Sequence, residues 1–243
     1  MQGRRDELAA SLDEVRQRIA RACAAAGRDP GSVALVAVTK TYPASDVVLL
    51  AGLGVTDVGE NKDQEAAAKS AAVRAAVAEG AALRWHFVGQ LQRNKAKSVV
   101  TYADVVESVD STRLAQALSG AAVRLRERPL DVLVQVSIDG DPARGGAYAG
   151  AAEADRDLWR VASTVAGAEG LRLAGVMAVA PLGWAPDRAF AALAGQVERL
   201  RGEYPGATVV SAGMSGDLED AVKYGATHVR IGTSLLGMRN PLR

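Results

Sequence analysis

The sequence predicts a (β/α)8 TIM barrel formed by one domain over residues 1–243, with an added helix at its N-terminus. Eight short segments rich in Val, Ile and Leu alternate with eight helix-like ones, and strict alternation of this kind builds a parallel sheet. Segments such as VALVAV at 33–38 and LDVLVQV at 130–136 are apolar almost without a break, the pattern of strands buried on both faces. Eight units within 243 residues match the length of a closed barrel better than that of an open doubly wound sheet, which remains the alternative.

The elements follow in order. Leu8, Leu12, Val15, Ile19 and Cys23 recur at helical spacing before Gly27, Asp29 and Pro30, which marks an amphipathic helix and its stop. The first strand, VALVAVTK at 33–40, ends where Pro43 breaks it, and a short helix near 45–53 follows with Ser45 as its expected cap. The second strand is expected at 55–61, an Ala-rich helix after Asn61 to about Ala78, the third strand at 83–90 and a helix over 91–100. Strands at 103–110 and 130–138 enclose a helix at 111–127, and a glycine-rich loop, DGDPARGGAYAG, follows at 139–150. A helix at 151–168, strand at 171–179, helix at 186–203, strand at 207–212, helix at 216–223, strand at 227–231 and a helix from Thr233 complete the pattern.

Composition removes several function classes. Lys+Arg number 29 against 28 Asp+Glu, so a net charge of +1 offers no bulk attraction to nucleic acid or anionic membranes. No stretch is long and apolar enough to span a bilayer, and the charge-rich N-terminus does not read as a secretory signal. The single cysteine, Cys23, excludes an internal disulfide and suits a reducing cytoplasm. With only His86 and His228, and neither HExxH nor CxxC, no metal site is expected. GxGxxG after the first strand, GxxxxGK[ST] and GxSxG are all missing.

In a parallel barrel reactive groups gather at the carboxyl ends of the strands, with phosphate held by the loops after the seventh and eighth. Lys40 ends the first strand. An ammonium partly desolvated there has a lowered pKa and a free lone pair for Schiff-base chemistry, although a strand-end lysine that merely reaches water fits the same pattern. The seventh strand leads into SAGMSG, with Ser211 and glycines at 213 and 216. The eighth leads into Gly232 and Thr233 before a helix, whose terminus attracts anions, while ordinary capping by Ser215 and Thr233 is the competing reading. Arg230 alternates with Val229 and Ile231 and so faces the barrel interior, toward either a ligand or an acidic partner. Asn61, Trp85, His86, Gln90 and Asn94 are expected to line one pocket, unless Asn61 caps a helix, Trp85 is core and His86 an interior histidine.

VAVTKTYP, GEN followed by QE, WHFVGQLQRNK, GVMAV, SAGMSGDLEDAV and GATHVRIGTSLLG, in order over residues 33–239, resemble the pyridoxal phosphate homeostasis protein family. The resemblance implies a fold-type III barrel related to the N-terminal domain of alanine racemase. It further implies pyridoxal 5′-phosphate (PLP) bound covalently as an aldimine on Lys40. Ser211, Gly232 and Thr233 match the family's phosphate contacts, Arg230 the arginine facing the pyridine nitrogen, Asn61 the position beside the phenolic oxygen, and Met177 lies near the ring. The chain departs from the family's usual residues at Lys62, Asp63 and Ala212, and Arg144 stands where a lysine is common. The resemblance implies a cytoplasmic, monomeric protein with no catalytic residues, which stores PLP or delivers it to PLP-dependent apo-enzymes. A PLP-dependent racemase or decarboxylase on the same barrel is the alternative, and a cofactor-free lysine Schiff-base aldolase a more distant one.

Overall fold

The computed structural model describes residues 2–77, 83–141 and 144–237. Its eight parallel strands pair in sequence order and close on themselves: β1 (Ala34–Val38), β2 (Asp57–Glu60), β3 (Arg84–Phe87), β4 (Val105–Val109), β5 (Leu130–Val136), β6 (Leu171–Ala178), β7 (Val209–Ser211) and β8 (His228–Ile231). Val36 of β1 lies beside both Asp57 of β2 and Arg230 of β8, which closes the ring. The helices are α1 (Gln2–Ala25), α2 (Ala44–Gly52), α3 (Asp63–Ala76), α4 (Ala96–Tyr102), α5 (Thr112–Leu125), α6 (Leu158–Gly167), α7 (Pro186–Glu203), α8 (Leu218–Lys223) and α9 (Thr233–Leu236). The closed barrel with its added first helix is the architecture that the alternation predicts.

Two apolar layers hold it together. The α1 stripe of Leu8, Leu12, Val15, Ile19 and Cys23 is buried with Val229 and Ile231 of β8 and with Trp85. Each such large side chain removed from water contributes roughly 1.5–3 kcal/mol. A larger layer between β3–β7 and α4–α7 includes Phe87, Val106, Leu118, Val132, Val176 and Phe190. Among the described residues, the lumen combines a small apolar cluster of Val105, Leu133, Ala174 and Met177 with buried polar groups that include His86, Glu107, Ser211 and Arg230.

Several boundaries differ from the sequence expectation. Pro43 rather than Ser45 occupies the cap of α2, because its fixed φ sets the helix entry. The helix expected over 91–100 begins at Ala96, after a 3-10 turn at Arg93–Lys95. That expected at 151–168 begins at Leu158, where the Asp157 carboxylate accepts from the Arg160 amide at 3.0 Å. Neither Ser215 nor Thr233 caps a helix: Asp217 precedes α8 and Gly232 precedes α9. Ala78, the expected end of the third helix, lies outside the described residues. Among the described residues no helix is long and apolar enough to cross a membrane, and no cluster of three or more His, Cys, Asp or Glu side chains is placed to hold a metal ion.

Candidate functional site

Alternation along β8 sends Val229 and Ile231 toward the helices and Arg230 into the lumen. The guanidinium is buried, donating from Nη1 to the Ser211 carbonyl (2.7 Å) and hydroxyl (2.8 Å) and from Nη2 to the Ala178 carbonyl (2.9 Å). An acidic partner is also present, since Glu107 Oε2 stands 3.9 Å from Nη1 and accepts from the Ser211 hydroxyl at 2.6 Å. The other Glu107 oxygen meets His86 Nδ1 at 2.6 Å, and His86 Nε2 meets Asp57 Oδ1 at 3.0 Å. Asp57, His86, Glu107, Ser211 and Arg230 thus form one hydrogen-bonded chain through the lumen.

The charges along this chain follow from its geometry. Burial acts to pull the His86 imidazole down, but the hydrogen bonds to Asp57 and Glu107 outweigh it and push it up to about 9. Both ring nitrogens therefore donate. Burial acts to raise the Glu107 carboxyl, yet the His86 hydrogen bond and charge, with Arg230 behind them, hold it below the usual range. Burial pulls the Arg230 guanidinium down while Glu107 opposes, and arginine stays charged under such conditions.

The mouth is built differently. Lys40 stands two residues beyond the end of β1 and is exposed, so the expected desolvation of its amine is not found: the strand stops at Val38, and the turn carries the lysine clear of the low-dielectric wall. Asn61 follows β2 in the adjacent strand, and its Oδ1 is buried without a hydrogen-bond partner among the described residues. It does not cap α3, whose cap position is Lys62. Gly232 and the exposed Thr233 follow β8, the other neighbour of β1, so Lys40, Asn61 and Thr233 come from three adjacent strand ends. The amides of Thr233 and Ser234 lie in the first turn of α9, where no intrahelical acceptor exists.

Two expected contacts are corrected. The Ser211 hydroxyl is fully buried and engaged by Glu107 and Arg230, so it faces the lumen instead of an anion at the mouth. Ser215, half-buried in the following loop, accepts from Arg18 Nη1 at its carbonyl (3.1 Å). Gly213 in that loop has φ +91°, and a Cβ there would come within 2.6 Å of the Ala221 Cβ, so this glycine serves the turn and the packing against α8. The single pocket expected of five residues is also divided. Asn61 and Gln90 line an open cavity of about 520 Å³ with Lys62, Gln64 and Leu91, while Asn94 belongs to its neighbour. Trp85 packs against α1 and His86 lies in the lumen. Met177 is buried in the lumen, opposite Ser211 in the β6–β7 register.

Glu107 was not singled out from the sequence. Its signal is a lone carboxylate inside the apolar run VVESV, a group that needs a buried partner.

A curated relative from Mycobacterium tuberculosis, named pyridoxal phosphate homeostasis protein, is 44% identical over 246 residues and matches 97% of this chain and 94% of its own length. The chain belongs to the pyridoxal phosphate homeostasis protein family. Among solved structures, PipY from Synechococcus elongatus PCC7942, determined with PLP bound, aligns at TM-score 0.74 and 31% identity over 95% of this chain and 100% of PipY. An alanine racemase from Corynebacterium glutamicum shares the fold at TM-score 0.67 and 15% identity, over 98% of this chain and 62% of the racemase. No protein-family model matches the chain. Within the homeostasis family's pattern, the unusual residues sit quietly: Lys62 is exposed, Asp63 accepts from the Ser98 hydroxyl at 2.8 Å, and Ala212 is buried. Arg144 pairs with Asp139 at 3.0 Å, and residues 142–143 of the same loop lie outside the described ones.

Proposed function

We propose that this protein binds PLP through Lys40 and stores it or delivers it in the cytoplasm to PLP-dependent apo-enzymes, as a monomer and without turning over an amino acid. One observation carries the reading: an exposed primary amine on Lys40 and, at the adjacent strand end, an amide oxygen of Asn61 that is buried yet unpaired among the described residues. A native protein leaves such an oxygen unpaired rarely, and a ligand donor at this point would satisfy it.

The residues present fit the cofactor. When bound, PLP supplies an aldehyde that condenses with a primary amine with loss of water. Lys40 provides that amine. Thr233 and the first-turn amides of α9 offer donors to phosphate oxygens. Arg230 holds a fixed positive charge below the mouth, anchored by Ser211 and Ala178. A guanidinium is donor-only, so it opposes protonation of a ring nitrogen brought to it and leaves the ring a poor electron acceptor. This argues for holding over catalysis. Exposure of Lys40 also leaves the attachment open to water, the reactant that release requires.

The test uses purified protein, PLP and borohydride. A visible absorbance band is expected, abolished by borohydride with the added mass on Lys40, and Lys40→Ala should lose the band while its melting temperature barely moves, since an exposed turn residue contributes within about 0.5 kcal/mol. No band in the wild type, or mass fixed elsewhere, overturns the reading. Sustained exchange of amino-acid α-protons with deuterium would instead establish catalysis.

A further inference from the structure

The turn that carries Lys40 has an unusual backbone. Thr41 is the one non-glycine residue among those described with positive φ, at 68°. A β-branched residue is strained there, and a glycine would take the same conformation freely. The strain is held by a hydrogen bond, because the Thr41 amide donates to Glu65 Oε1 at 2.6 Å. Glu65 in turn meets Lys69, one helical turn along α3, at 3.0 Å.

Lys69 binds on the other side of Lys40 as well. Its Nζ donates to the Thr39 carbonyl at 2.8 Å and to Glu60 Oε1 at 2.6 Å, and the Thr39 hydroxyl donates to that same oxygen at 2.6 Å. Lysine is seldom buried unless paired, yet the Lys69 side chain is only 5% exposed. Burial acts to raise the Glu65 carboxyl, but the bonds from Lys69 and the Thr41 amide outweigh it, so Glu65 is anionic at neutral pH and a strong acceptor. Both neighbours of Lys40 are therefore gripped from α3 and the end of β2, while Lys40 itself faces solvent.

We propose that Glu65 and Lys69 are positioning residues, a clamp that holds the Lys40 turn in the conformation from which its amine is presented to an aldehyde. The inference rests on the reading of Lys40 given above. A fold requirement alone does not account for it, since a glycine at position 41 would make the turn without Glu65. The clamp exchanges that freedom for a fixed backbone from which the amine extends, and restricting geometry is what speeds a bond-forming step between held partners.

The test compares Glu65→Ala, Glu65→Gln and Glu65→Ala combined with Thr41→Gly in the full chain. Two probes are used: PLP, whose capture by Lys40 is followed in the visible, and pyridoxine 5′-phosphate, which carries an alcohol in place of the aldehyde. Glu65→Ala should slow capture of PLP by roughly ten- to a hundredfold while leaving pyridoxine 5′-phosphate affinity unchanged. Glu65→Gln, whose amide oxygen still accepts from the Thr41 amide, should recover most of the rate, and so should the added glycine. Should Glu65→Ala melt below the assay temperature, Glu65→Asp replaces it, its acceptor one methylene short.

Normal capture by Glu65→Ala overturns the clamp, as does an equal loss for both probes or a failure of both rescues. Borohydride fixation in the wild type separates this from the parent reading. Mass on Lys40 with normal capture by Glu65→Ala sinks the clamp alone, and mass elsewhere sinks both.

Discussion

The two ends of the barrel are made from the same alternation of inward side chains, yet the carboxyl ends, beside the paired Lys69, Glu60 and Glu65, also leave polar groups over, where the charges of the amino ends pair off. At the amino ends of the strands, Asp131 accepts from Arg172 Nε and Nη2, both at 2.6 Å, and from Arg84 at 3.1 Å, while Asp57 takes His86 at 3.0 Å and lies 3.7 Å from Arg84. Charges there answer one another. At the carboxyl ends Lys40 is exposed, Asn61 Oδ1 is unpaired and the first amides of α9 have no intrahelical acceptor. The difference teaches where to look for a ligand: polar groups that satisfy each other maintain the fold, and those left over are available to something else.

The comparison breaks most readily in the lumen that joins the two ends. Glu107→Ala would leave the His86 cation and Arg230 without their shared carboxylate, and is expected to cost about 3–5 kcal/mol in urea unfolding. A near-neutral result would mean that the chain of polar groups does not support the barrel. Raising the pH probes the same link more gently. A shift of His86 from 6.5 to about 9 corresponds to roughly 3 kcal/mol of stabilisation. That contribution is complete below pH 6.5, the unfolded-state value, and is withdrawn as pH rises through about 9. Denaturant titrations at pH 6, 7.5 and 9.5 should therefore show falling stability, and a flat profile would place the proton elsewhere. The smallest effect is expected at the amino end, where Arg172→Ala removes a pair whose arginine side chain is 68% exposed. Stability should fall by less than about 1 kcal/mol, with capture of PLP at Lys40 unchanged, because Asp131 keeps Arg84 and solvent screens the loss. A large drop in capture would show that the two ends are coupled.

Periodicity placed Arg230 in the barrel interior, because Val229 and Ile231 set the outward face of its strand. It read Lys40 as the last residue of a strand that stops at Val38, and the role of that lysine is implied by the family resemblance. Met177 was beyond the reach of periodicity as a lumen residue. Strict alternation from Arg172 would turn Val176 inward and Met177 outward, but β6 bulges at Ala174–Gly175, both opposite Leu133, and the order reverses. Gly175 permits this: its φ is +153°, and a Cβ would lie 1.9 Å from the Val209 carbonyl oxygen. β4 is irregular in the same way between Val106 and Val109, around Glu107. The partners of Glu107 lie 21 and 104 residues away, at His86 and Ser211, separations that no spacing rule connects. For the same reason the Ser211 hydroxyl read as a phosphate contact when its neighbours in space were unknown. The late start of α6 is a local matter, since Asp157 supplies a cap that outweighs the alanines before it.

His86 also alters what an electrophoresis experiment counts. The formal charge of +1 at pH 7 treats both histidines as neutral, whereas an imidazolium pushed up to about 9 adds one more, so the folded molecule should migrate as a +2 ion. Unfolding at that pH releases the proton and removes the extra charge. Native and denatured chains thus differ in mobility for a reason unrelated to their size, and a macromolecule resting on the outer surface would scarcely sense the difference, because the cation sits between two carboxylates at 2% exposure.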